Sequence, residues 1–123
     1  MTTADSAAAK DWAGVRLHVV TGKVGAEVSA EKAKELAQLC ALNALAAVKA
    51  EIGDLAKVKR VVKVLAFVAS DPSFTAQPGV VNGASELLGA VFGEAGVHAR
   101  SAVGVAVLPL DSPVEVEIVV EVE

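Results

Sequence analysis

Val114 to Glu123 reads VEVEIVVEVE, and this stretch decides the fold. Val114, Val116, Ile118, Val120 and Val122 fall on every second position, with Glu115, Glu117, Glu121 and Glu123 between them. A period of two places alternate side chains on one face of a strand, whereas a helix would scatter these valines around its circumference. The stretch is therefore a strand with one face to bury and one acidic face. Pro109-Leu110-Asp111-Ser112-Pro113 before it lacks either period and is rich in turn formers, so a turn is expected there. Upstream of that turn, Arg100 opens a further strand running through SAVGVAVL, where Gly104 marks a bulge or the close approach of another backbone.

Working outward, Val58 to Val68 reads VKRVVKVLAFV, a β-branched run suited to a central strand, with a second half apolar enough to be buried on both sides. Asp71-Pro72 and Gln77-Pro78-Gly79 bracket a loop. A helix is expected from Val80 or Val81 to Phe92, with Leu87, Leu88, Val91 and Phe92 as its apolar contacts and Gly93 and Gly96 ending it. Earlier, Ser29 stands at an N-cap position, and from Ala30 the chain is rich in Ala, Leu, Glu and Lys until Gly53 stops it. Ala33, Ala37, Cys40, Ala44 and Ala47 give this helix a face of small side chains flanked by Leu36, Leu39, Leu42 and Leu45, which suits packing on a sheet. Val15 to Val20 is a first strand candidate, because Val15, Leu17 and Val19 alternate with Arg16 and His18, and a turn follows at Thr21-Gly22-Lys23. The order strand, helix, strand, helix, strand, strand predicts an α+β fold with two helices on one face of a mixed sheet. Residues 1–11 are small and polar and are expected to be flexible, and residues 12–123 to form a single domain.

The chain has 123 residues, of which 54% are hydrophobic and only 3% aromatic, with no Tyr. One small domain cannot hide that much Val, Ala and Leu alone, so oligomerisation is expected. No stretch reaches the roughly 20 apolar residues of a membrane span, and no membrane partner is expected. The net charge of −4 opposes binding to a phosphate backbone, and few aromatics are available to stack on bases, so nucleic acid is not an expected partner. A lone Cys40 and an N-terminus without a basic segment leading into an apolar run point to the cytoplasm.

The residues carry no His or Cys cluster at metal spacing, no glycine-rich phosphate loop and no serine nucleophile elbow, so neither metal nor cofactor is expected. His18 and His98 are the only imidazoles and read first as structural side chains. Cys40, mid-helix among Ala and Leu, reads as a small buried hydrophobe. Arg100 is the residue of interest. A guanidinium at a strand start can grip a carboxylate through two parallel hydrogen bonds. If its strand paired antiparallel with the Glu-rich one, Arg100 could equally form a structural salt bridge to Glu115 or Glu117, and the spacing favours that plainer reading.

His98-Ala99-Arg100-Ser101-Ala102-Val103-Gly104, then Leu108-Pro109 and Pro113-Val114-Glu115-Val116-Glu117, resemble the C-terminal signature of the Rid (YjgF, endoribonuclease L-PSP) family. Gly53-Asp54-Leu55, Ala66-Phe67-Val68 and Val81-Asn82-Gly83-Ala84-Ser85 match in the same order, so the resemblance runs from Thr21 to the end. It implies a chorismate-mutase-like fold assembled as a homotrimer, with clefts between subunits. It implies hydrolysis of small enamines or imines of the 2-aminoacrylate type to 2-oxo acids and ammonia. In that reading Arg100 grips the substrate carboxylate, Glu115 positions or activates water, and Asn82 contacts the ligand. The wording of the sequence is that of a divergent branch. It lacks Tyr, and its segment before Thr21 is shorter than the hairpin with which the family usually opens. Either GVRLHVV is expected to serve as the one remaining strand, or the start is expected to be abbreviated relative to the family, which bears on the cleft wall built by that region. A noncatalytic trimer that binds small carboxylate metabolites is the alternative. RNA cleavage, which the family's naming suggests, ranks below both because of the acidity and the scarcity of aromatics.

Overall fold

The computed structural model describes residues 19–123. The expected flexible segment 1–11 and most of the strand expected at Val15–Val20 lie outside the described residues, and Val19 and Val20 carry no strand. The turn expected at Thr21-Gly22-Lys23 falls slightly later: a tight turn over Gly25–Glu27 is closed by the Gly25 N–H donating to the Val28 carbonyl at 2.8 Å. Gly25 has φ 92°, which glycine reaches without steric cost.

Helix α1 spans Ala30–Ile52. Ser29 caps it as expected, accepting a hydrogen bond from the Lys32 N–H at 3.1 Å, and Gly53 ends it at φ 90° with its N–H on the Lys49 carbonyl. Ser29→Ala should lower the unfolding free energy by about 1 kcal/mol, measurable by urea titration. The small-residue face needs correction. Ala33 and Ala37 are buried, but the stripe continues through Ala41 and Leu45, while Cys40 and Ala44 are half-buried and Ala47 is exposed. A spacing of four residues follows one helix ridge, and α1 packs such a ridge against both α2 and the sheet. Leu39 and Leu42 point away and are about half exposed.

Helix α2 spans Gln77–Phe92 and starts earlier than expected. Pro78 sits in its first turn, where a missing N–H costs nothing, so the proline opens the helix instead of preceding it. Gly83 lies at the crossing of the two helices, where a Cβ would stand 2.1 Å from the Lys34 carbonyl oxygen. Only glycine permits that approach.

Among the described residues, three strands form the sheet in the order β2-β1-β3, with β1 at Val58–Ala69, β2 at Ala99–Val105 and β3 at Val114–Val122. β1 is central as expected and runs parallel to β2, with α2 as the crossover, and antiparallel to β3. The pairing entertained between the Arg100 strand and the Glu-rich strand does not form, because β1 lies between them. Register shifts between Val58 and Arg60 and between Val61 and Lys63 explain why β1 lacks strict alternation in sequence: each irregularity resets which side chains face the helices. Val58, Val61, Val64, Ala66 and Val68 are buried beneath the helices. Leu65 and Phe67, on the opposite face, are only half-buried, so the second half of β1 is covered on one side within a single chain. Gly104 pairs with Val68 in unbroken register, so it marks no bulge. It leaves room for a side chain instead: a Cβ there would stand 2.6 Å from the Gln77 amide nitrogen.

The core is small and aliphatic, built from alanines and valines around Leu88. No described helix is long and apolar enough to cross a membrane.

Candidate functional site

Register decides where Arg100 goes. It is paired with Val64, whose side chain lies under the helices, so Arg100 also projects to the helix side of the sheet. There it meets Pro78, Asn82 and Ser85, which share one face of α2 at helical spacing. Its Nη1 donates to Asn82 Oδ1 at 2.8 Å and to Ser85 Oγ at 3.0 Å, and its Nη2 donates to the Pro78 carbonyl at 3.2 Å. A guanidinium has five N–H donors. After these bonds Nε–H and one Nη2 N–H are left for a ligand.

The partners of Arg100 are all neutral. Among the described residues no carboxylate pairs with it, whereas Lys23, Lys32, Lys34, Lys59 and Arg60 each face an Asp or Glu. The guanidinium is thus held in place and half-buried with no described carboxylate beside it. Lys49, Lys57 and Lys63 also lack an ion pair among the described residues, but they are exposed, whereas Arg100 is fixed by three hydrogen bonds. A fixed cation with spare donors is a receptor for an anion, and a carboxylate matches its planar geometry.

Asn82, expected to contact the ligand, is a direct hydrogen-bond acceptor of Arg100. Glu115 is not brought to Arg100. It pairs with Phe67, on the sheet face away from the helices, so within one chain Arg100 and Glu115 project from opposite faces. Glu117 lies on that same far face, paired with Leu65, and neither glutamate forms the salt bridge to Arg100 that was weighed against a site. Glu115 and Glu117 stand among Leu65, Phe67, Val103 and Val119, a mixed apolar and acidic surface that no described helix packs on.

Two residues of the Arg100 cluster carry no site role in the sequence reading: His98 reads as a structural side chain, and Ser85 stands only within a matching motif. Ser85 bonds both Arg100 and His98, and His98 Nε2 lies 2.8 Å from Ser85 Oγ while its Nδ1 lies 2.6 Å from the Gly96 carbonyl. The signal was present in the spacing. His98 and Arg100 are two apart on an extended segment and so share a face, and Asn82 and Ser85 are three apart on a helix.

A groove of about 310 Å³ between α1 and α2 is lined by Glu31, Lys34, Glu35 and Glu86 among others. It lies on the α1 side of α2, away from Arg100, and its acidity disfavours anions. Among the described residues no three His, Cys, Asp or Glu gather as a metal site requires. Burial pushes the Cys40 thiol up, reinforced by the negative charge of Glu115. Raising a thiol's pKa lowers its thiolate fraction at neutral pH, so Cys40 should react with iodoacetamide more slowly in the native protein than after urea unfolding.

The arrangement of two helices on one face of a mixed sheet, with a half-buried arginine between α2 and β2, defines the class. The family model described as "YjgF/chorismate_mutase-like, putative endoribonuclease" matches residues 11–122. The chain belongs to that family. It is 46% identical over 121 residues to Protein TCP17 of Trypanosoma cruzi, covering 88% of this chain and 76% of that protein. Among solved structures it is similar to the protein Atu1372 of Agrobacterium tumefaciens, whose function is given as unknown, with TM-score 0.83 and 51% identity over 85% of this chain and 67% of that one. It is also similar to a "putative endoribonuclease" of Shewanella oneidensis MR-1, with TM-score 0.81 and 31% identity over 89% of this chain and 71% of that one.

Proposed function

We propose that the protein binds a small carboxylate-bearing metabolite through Arg100 and hydrolyses imines of the 2-aminoacrylate type to 2-oxo acids and ammonia. The observation that carries this reading is the guanidinium itself, fixed by α2 yet unmatched by any described carboxylate. Burying an unneutralised charge is unfavourable unless a ligand supplies the counter-charge.

The enamine first takes a proton at its terminal carbon to become the 2-imino acid. With the carboxylate on Arg100, the imine carbon is held at a fixed distance from the guanidinium, ready for a positioned water. The water oxygen attacks that carbon, the C=N electron pair moves to nitrogen, and the proton lost from the added oxygen is passed on to that nitrogen, which makes it a leaving group. Collapse of the resulting carbinolamine forms the carbonyl and expels ammonia. Glu115 is the group proposed to orient and deprotonate the water. Because it faces away from Arg100 in its own chain, it must come from a neighbouring subunit. A homotrimer that covers Leu65, Phe67, Val103 and Val119 would provide this, and sedimentation equilibrium should then give three times the 12.4 kDa chain mass. A monomer at micromolar concentration would remove the shared cleft from the proposal.

The opposed faces of Arg100 and Glu115 favour a second reading, a binder of 2-oxo acids without turnover. An assay that generates 2-aminoacrylate separates the two. The enzyme reading expects the intact protein to accelerate its decay, and Glu115→Gln to lose the acceleration while pyruvate still raises the melting temperature. No acceleration by the intact protein, together with an Arg100-dependent rise in melting temperature, leaves only the binder. RNA cleavage is disfavoured by the net charge of −4.

A further inference from the structure

We propose that His98 is a positioning residue which, through Ser85, locks the Arg100 guanidinium in its ligand-ready orientation. This rests on the reading of Arg100 as a carboxylate receptor. The Gly96 carbonyl sets the direction of the hydrogen bonds. A carbonyl only accepts, so His98 Nδ1, 2.6 Å away, must donate to it. In the neutral ring the proton on Nδ1 leaves Nε2 as a bare acceptor. The only partner at Nε2 among the described residues is Ser85 Oγ at 2.8 Å, so the Ser85 hydroxyl donates to it.

That fixes the serine rotor. With its proton committed to His98, Ser85 Oγ presents lone pairs to Arg100 Nη1, which donates to it at 3.0 Å. Without His98 the hydroxyl would be free to turn its proton toward the guanidinium, where it would oppose that bond. The chain of Gly96 carbonyl, His98, Ser85 and Arg100 therefore has one donor direction throughout, and the Asn82 and Pro78 oxygens complete the clamp. Each link is made by a different element: the turn before β2, helix α2 and strand β2. The relay ties the helix to the strand where the ligand would dock.

Positioning has its own value here. A guanidinium ordered before binding loses less conformational freedom when it grips a carboxylate, so affinity rises without a new contact to the ligand. His98 does not touch the ligand and acts only through Ser85.

Two readouts test this. The Nε–H of an ordered arginine gives a resolved nitrogen-15 correlation signal, and Arg100→Ala assigns it against Arg16 and Arg60. The expected result is that this signal is sharp in the intact protein, broadened or lost in His98→Ala and in Ser85→Ala, and restored in His98→Gln, whose side-chain oxygen can accept at the Nε2 position. Pyruvate affinity should follow the same order, falling about tenfold in His98→Ala and recovering in the glutamine variant. Melting curves establish that each variant is folded, and Ser85→Ala carries the test if His98→Ala is not. An unchanged Nε–H signal in folded His98→Ala overturns the proposal whatever Ser85→Ala shows, and so does an unchanged signal in Ser85→Ala. A signal that is lost in the alanine variants and restored by glutamine, in a protein that never binds pyruvate, upholds the relay and overturns the carboxylate reading alone.

Discussion

If the proposed function holds, Arg100→Ala is expected to abolish both the acceleration of 2-aminoacrylate decay and the rise in melting temperature with pyruvate. Truncating the cationic partner of a desolvated charge pair costs on the order of 3 kcal/mol, or at least about 100-fold in affinity. Arg100→Lys should not rescue it. An ammonium is a point charge that cannot donate to Asn82, Ser85 and the Pro78 carbonyl while presenting a planar pair of N–H groups to a ligand. The fold should survive both substitutions, since Arg100 is half-exposed and outside the aliphatic core. Retained turnover in Arg100→Ala would remove the guanidinium from the mechanism.

The largest effect on stability is expected from Gly83→Ala. The added Cβ would sit 2.1 Å from the Lys34 carbonyl oxygen and 3.0 Å from its carbon, both backbone atoms that cannot swing aside. Relief requires α2 to move off α1, which would open the packing around Ala33, Ala37 and Leu88. Overpacking of this kind costs about 3 kcal/mol, and thermal unfolding should show a fall of roughly 10 °C or more. Gly79→Ala on the same helix is the control, since a Cβ there meets nothing within 4 Å. Similar melting temperatures for the two variants would mean that the helices do not cross at Gly83.

How much of this was legible in the sequence depended on whether a local rule decided the outcome. α1 was readable end to end because both termini carry their own chemistry, a serine cap and a glycine stop. The VEVEIVVEVE strand was readable because its period is unambiguous. The start of α2 was misplaced because Pro78 and Gly79 signal a break and an N-terminus equally well, and only the course of the chain distinguishes them. The irregularities in β1 could not be read from VKRVVKVLAFV, since a bulge depends on the partner strand.

The site divided in the same way. Arg100 and Asn82 were found through a motif, and the structure gives them a direct bond at 2.8 Å. The separation of Arg100 from Glu115 turns on strand order, which no local pattern contains: with β1 inserted between their strands, an odd register step of three residues from Val64 to Phe67 puts them on opposite faces. Ser85 carries no signal of its own, and a lone imidazole such as His98 reads as a structural side chain. Their role exists only where α2 and β2 meet.

Whether Arg100 is a preformed receptor for a small carboxylate is tested most directly by a pyruvate titration followed at the Arg100 Nε–H signal. The account predicts that this resonance moves progressively and saturates, with no comparable change at Arg60, whose guanidinium is already engaged by Glu121. A Nε–H signal that stays in place up to millimolar pyruvate, in protein shown to be folded, would contradict it.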